Sequence, residues 1–142
     1  TSATTSILSG TNTPNHDDFI LAPDPPYDWR SPQNDNLWQG ISGINNPCPE
    51  GFRIPTEAEL NAEKASWGSN DAAGAFASPL KFTLAGQRSD SNGSINDEGT
   101  FGRYWSSNID GTRSRNLYFG STFAFLFSDN RAYGYCIRCI KE

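Results

Sequence analysis

Apolar residues in the C-terminal half come in short runs separated by turn residues, and that pattern predicts strands. Arg103 to Asn108 starts one, Arg115 to Phe119 makes a second and Thr122 to Phe127 a third. Asp110-Gly111 and Ser128 to Arg131 supply the turns, and a last strand is expected over 133–141. Together they read as an antiparallel meander. Pro79 to Gly86 also alternates and predicts a strand, and Phe19 to Ala22 is an apolar run that suits an early one. Between these lies a helical signal. Thr56-Glu-Ala-Glu59 has the capping-box form, in which the Thr side chain accepts from the third amide and Glu59 reaches back. The spacing predicts a helix from 57 to about 67, with Leu60, Lys64 and Trp67 on one side and Gly68 as the stop. A second short helix is expected at Asp71 to Phe76. Helix first, then a meander, is an α+β order.

The connections are unusually long. Pro23 to Asn36 cannot be helical, because four prolines interrupt it, and Tyr27 and Trp29 are its apolar anchors. Gln87 to Gly102 is rich in Asp, Ser, Asn and Gly, and a stretch of that length without structure is functional or disordered. Residues 1–18 are polar and read as a linker or an extended N-terminal segment, leaving 19–142 as one domain. Their TSATTS opening suits a piece of a larger multidomain protein.

Composition narrows the class. Gly, Pro, Ser and Asn make up over a third of the 142 residues, which excludes a helical bundle. Aromatics at 13% exclude wholesale disorder and promise an aromatic core. The net charge of -5 argues against a nucleic-acid partner, and no apolar run is long enough for membrane insertion.

Candidate chemistry is sparse. The single histidine, His16, sits beside Asp17 and Asp18 in the polar N-terminal segment and reads as solvated, so no Ser-His-Asp site is expected. The chain is read as a non-enzyme. Of the three cysteines, Cys136 and Cys139 fall on opposite faces of the expected strand, which argues against a shared metal or a mutual bond. One disulfide plus one spare thiol is the preferred reading, with Cys48 and Cys139 as the pair, and it implies an oxidising compartment.

The oxygen-rich loops are a stronger signal. Calcium takes six to eight oxygens from carboxylates, amides and backbone. Asp90, Asn92, Asp97, Asp110 and Asp129 are the candidate ligands for Ca2+. Arg113, Arg115 and Arg131 lie in neighbouring turns, and their forks suit a ligand carboxylate such as a peptide terminus. Asn130, Tyr133 and Trp29 complete the candidate ligand-binding set, while Trp105 is expected in the core.

Several blocks together resemble a known family. Asp28-Trp29, Asn34 to Trp38 (NDNLW), Asn46 to Glu59 (NPCPEGFRIPTEAE), Gly102 to Ser107 (GRYWSS), Leu117 to Phe119 and Arg131 to Glu142 (RAYGYCIRCIKE) look like the Fibrobacter-type major paralogous domain. The likeness covers roughly 27–142. It implies a C-type lectin-like fold and a secreted or surface-exposed bacterial protein, and it too pairs Cys48 with Cys139, leaving Cys136 spare. Similar domains occur in very long calcium-rich adhesins, where they grip peptides or sugars on another cell. The resemblance therefore implies a calcium-dependent, extracellular adhesion module, monomeric as an isolated domain, with its ligand on loops 88–100, 108–116 and 128–131. A peptide is the first expectation and a carbohydrate the second, although the sugar-binding triplets Glu-Pro-Asn and Trp-Asn-Asp are absent. The same fold group contains formylglycine-generating oxidases, which would need Cys136 and Cys139 to meet. A non-binding structural module is the remaining alternative.

Overall fold

A computed structural model describes residues 3–142. Its centre is the meander that the alternation predicts: β6 (Gly102–Asp110), β7 (Arg113–Gly120) and β8 (Phe123–Asn130), antiparallel in that order. Turns at Gly111-Thr112 and Ser121-Thr122 set the register, pairing Tyr104 with Leu117 and Phe119 with Ala124. The ladder between β6 and β7 is interrupted between Trp105 and Ile109 by a bulge. Bulges re-aim side chains, and this one lies along the narrow cavity beside the cleft described below.

Two helices lie N-terminal to the sheet in sequence. α1 (Glu57–Ala65) has both arms of the capping box, with Thr56 accepting from the Glu59 amide and Glu59 accepting from the Thr56 amide. It ends at Ser66, two residues before Gly68. α2 (Ala72–Ala77) is capped by Asp71, whose side chain accepts from the Gly74 amide. Leu60 of α1 and Ala75 of α2 enter one core with Phe82, Tyr104, Leu117, Phe119 and Ala124. The aromatic share of the sequence is spent here. Phe82 meets Tyr104 edge-on with centroids 4.8 Å apart, and Trp67 meets Phe119 edge-on at 5.9 Å, the arrangement that the ring quadrupoles favour.

The remaining strands are two-residue pairings that stitch loops together. β1 (Thr4–Thr5) runs parallel to β2 (Phe19–Ile20), and the Ser9 amide donates to the Trp29 carbonyl. β3 (Phe52–Arg53) pairs with β9 (Ile140–Lys141). Beside that pair, Cys48 is bonded to Cys139 across 91 positions, which on chain-entropy grounds stabilises by about 4–5 kcal/mol. Cys136 is a free thiol packed against the core, so it does not meet Cys139.

Four expectations differ from the structure. Ser128 to Asn130, expected as a turn, continue β8 as paired strand, and the turn comes at Arg131-Ala132. Residues 79–86 form no strand: Lys81 adopts φ 52°, outside the extended region, and the apolar alternation serves instead to bury Phe82. Gln87 to Gly102 is ordered, with β4 (Gln87–Arg88) and β5 (Ile95–Asn96) forming a short hairpin. The last strand shrinks to β9, because 133–139 makes only single bridges, at Gly134 and Cys136.

Candidate ligand-binding cleft

The proline-rich loop after Ala22 is folded by its own polar side chains. Asp28 is buried, and its carboxylate accepts from the Arg30 amide at 3.1 Å and from Gln33 Nε2 at 2.9 Å. Gln33 Nε2 also donates to the Thr112 carbonyl, which ties the loop to the β6–β7 turn. Gln39 Nε2 donates to the Ser107 carbonyl within the bulge, and the Ala132 amide donates to the Tyr27 carbonyl. Tyr27 and Trp38 both hold positive φ, 59° and 64°. A bulky residue adopts that region only where its surroundings enforce it.

These ties bring two indoles of the loop against the sheet. Trp29, Trp38 and Trp105 line a narrow cavity of about 30 Å³, with Asp28, Leu37, Ser106, Ile109 and Arg131. A wider cavity of about 230 Å³ shares Trp29, Trp38 and Arg131 and adds Phe19 and Tyr133. The two cavities are adjacent, with Trp29, Trp38 and Arg131 common to both linings, and the wider one is the cleft. Trp105 is buried, as expected of a core residue, and stacks on Tyr135 at 4.4 Å while also facing the narrow cavity.

Arg131 is the charge in this cleft. Its side chain is only 7% exposed. Nη1 lies 3.7 Å from Asp28, itself 3% exposed, and Nη2 lies 2.7 Å from Asp35, which is 66% exposed. Nη2 also donates to the Gly111 carbonyl at 2.9 Å. Nε is buried and has no protein partner. Nearby, burial raises the Tyr133 hydroxyl above its ordinary value of 10, and Asp90 and Asp129 raise it further, so it remains a donor at neutral pH. Asp90 in turn accepts from Asn130 Nδ2 at 2.9 Å.

Of the expected ligand-binding residues, Trp29, Arg131 and Tyr133 therefore line one cleft, and Asn130 stands behind Tyr133 through Asp90. Arg115 is elsewhere. It pairs with Glu57 of α1, which raises its pKa, and donates to Ser128. Arg113 is exposed, opposite Asp110 and Asn130 in the ladder. Sequence reasoning passed over Trp38, Asp28 and Asp35. Their signal was the pair of acid- and Trp-bearing blocks, Asp28-Trp29 and Asn34 to Trp38, within and at the end of the proline-rich loop.

The expected calcium ligands are each engaged by protein donors. Asp129 accepts from Arg103 Nη1 at 2.7 Å and from Asn116 Nδ2 at 3.1 Å. The Arg103 guanidinium lies 3.7 Å from the Tyr118 ring centroid. Asp97 accepts from Gln87, Asn92 from Ser94, and Asp110 from Ser128. Among the described residues, no three or more His, Cys, Asp or Glu side chains are grouped so as to hold a metal ion. Any calcium shell in these loops must draw on backbone and amide oxygens as well as carboxylates.

No protein-family model, curated protein or solved structure matches this chain. Its function has to be argued from the cleft. Among the described residues, no helix is long and apolar enough to cross a membrane.

Proposed function

We propose that the chain is a non-catalytic ligand-binding domain of an extracellular bacterial adhesin, and that its ligand, a peptide on a partner cell, seats between Trp29 and Trp38 over Arg131. One observation carries this reading: the proline-rich loop and the turn after β8 converge on a cleft with indole walls and a nearly buried guanidinium that has an unused donor. Ligand sites characteristically combine apolar walls with a few placed polar groups. Indole faces give contact area at low entropic cost, and Arg131 gives a directed donor. A carbohydrate is the second reading. The two indoles of the wider cavity, Trp29 and Trp38, favour it, because sugar rings stack on such faces.

A C-type lectin-like fold of the Fibrobacter-type major paralogous family fits this picture. Support comes from the α+β order, the antiparallel meander, the long ordered loops and the Cys48–Cys139 bond near the C-terminus. The disulfide also suits an oxidising, extracellular setting. Calcium enters the proposal as an ion for the loops, ordering 88–100 and 108–116 rather than touching the cleft.

Peptide and glycan arrays followed by isothermal titration test the reading. A hit should lose at least about tenfold in affinity in Trp38→Ala, consistent with the loss of a central aromatic anchor. The variant's melting temperature serves as the folding control. Binding that ignores Trp38→Ala removes the cleft from the account. Repeating the titration and the melt with calcium and with EGTA tests the ion. A melting temperature that falls with EGTA supports it, and an unchanged one removes it.

A further inference from the structure

We propose that the ligand of this cleft carries a carboxylate, and that Asp35 is an internal carboxylate which the ligand displaces from Arg131. The inference rests on the cleft reading above and names the ligand's chemistry. A guanidinium binds a carboxylate best side-on, through Nε and Nη2 together. In this structure that edge is half used. Nη2 meets Asp35 Oδ1 at 2.7 Å, while Nε is buried without a partner. A buried donor left unmade is costly, which marks an interaction still to be completed.

The two acids beside Arg131 are not equivalent. Asp28 is buried, and both its oxygens are taken by Arg30 and Gln33, so it is a fixed part of the wall. Asp35 is two-thirds exposed and contacts Arg131 through one oxygen, so its ion pair is of the weak, screened kind. Exchanging Asp35 for a ligand carboxylate keeps the charge balance around Arg131 and adds the missing Nε bond. A neutral ligand offers no such exchange. It would leave Asp35 in place or strand the guanidinium. Trp29 and Trp38, which share the cavity with Arg131, would hold the group bearing the carboxylate. Two sources carry this chemistry, a peptide acid and an acidic sugar.

The test is isothermal titration of the whole chain with matched probes: N-acetyl-Leu-Ala-Ala as free acid and as amide, and trigalacturonate against galactotriose. The acid of one pair should bind more tightly than its neutral partner, and the pair that responds identifies the source. Asp35→Asn should tighten that acid about two- to fivefold, as removal of a weak internal competitor predicts, and leave the neutral partner unchanged. Glu50→Gln makes the same charge change at another exposed position and should do neither. Equal binding of acid and neutral probes, no binding of any acid, or no tightening in Asp35→Asn overturns the inference. If a neutral probe binds and is lost in Trp38→Ala, the cleft stands and only the carboxylate fails. If binding of every probe is indifferent to Trp38→Ala, the cleft itself fails.

Discussion

Glu59 serves two partners with one carboxylate. It closes the cap on α1 through Thr56, and it takes the Arg53 guanidinium through two hydrogen bonds of 2.7 Å. The Arg53 bonds are the larger cause of its depressed pKa, about 2 against an ordinary 4.5. A carboxylate with a lower pKa when folded contributes stability that is complete above about 4.5 and is lost as pH falls toward about 2. The side chain is 39% exposed, so solvent screening reduces the contribution to about 1 kcal/mol. Melting curves should therefore separate wild type from Glu59→Gln near neutral pH and converge across that acid window. A gap that persists at pH 2 would assign the effect to packing instead. The Thr56–Glu59 cap was legible in the sequence because both partners lie within four residues. The Arg53 pair was not, since Arg53 precedes the helix and no local pattern announces it.

At the scale of elements, alternation was a good guide wherever a partner strand exists. β6, β7 and β8 fall on the predicted runs and extend them, and both helices appear within two residues of expectation at their N-termini. It failed at 79–86, where the same alternation buries Phe82 from an irregular segment: Leu84 and Gly86 bond the backbone of Gly99 and Phe101, but no strand ladder forms. The bulge in β6 was invisible, because it is set by the register against β7 and by loop 23–39 pressing on Ser107. Gly102 shows how tightly the sheet closes on the core. A Cβ at that position would lie 2.1 Å from the Phe119 ring, which is fully buried and cannot swing away. Gly102→Ala should cost about 1–3 kcal/mol by overpacking, read as a lower midpoint in urea unfolding. An unchanged midpoint would mean that the Phe119 ring is free to move.

In the whole molecule, the cleft is assembled from stretches far apart in the chain: Asp18 to Ile20, the proline-rich loop and the turn after β8, with the bulged end of β6 lining the adjacent narrow cavity. Trp29, Arg131 and Tyr133 were recognisable one by one as residues worth watching, but nothing in their spacing says that they meet. Trp38 and Asp35 entered only within the family-like block at 34–38, with no role of their own. The five acid and amide residues singled out for calcium are held by contacts that their spacing does not announce. Their chemistry suits an ion, yet each has found a protein donor, which only the folded arrangement reveals. The most direct measurement of the central claim follows the indole N–H resonances of the four tryptophans while an array-selected ligand is titrated in. The account predicts shifts for Trp29 and Trp38 and none for Trp67, which packs in the core on Phe82 and Phe119. Binding that leaves Trp29 and Trp38 unshifted would contradict it.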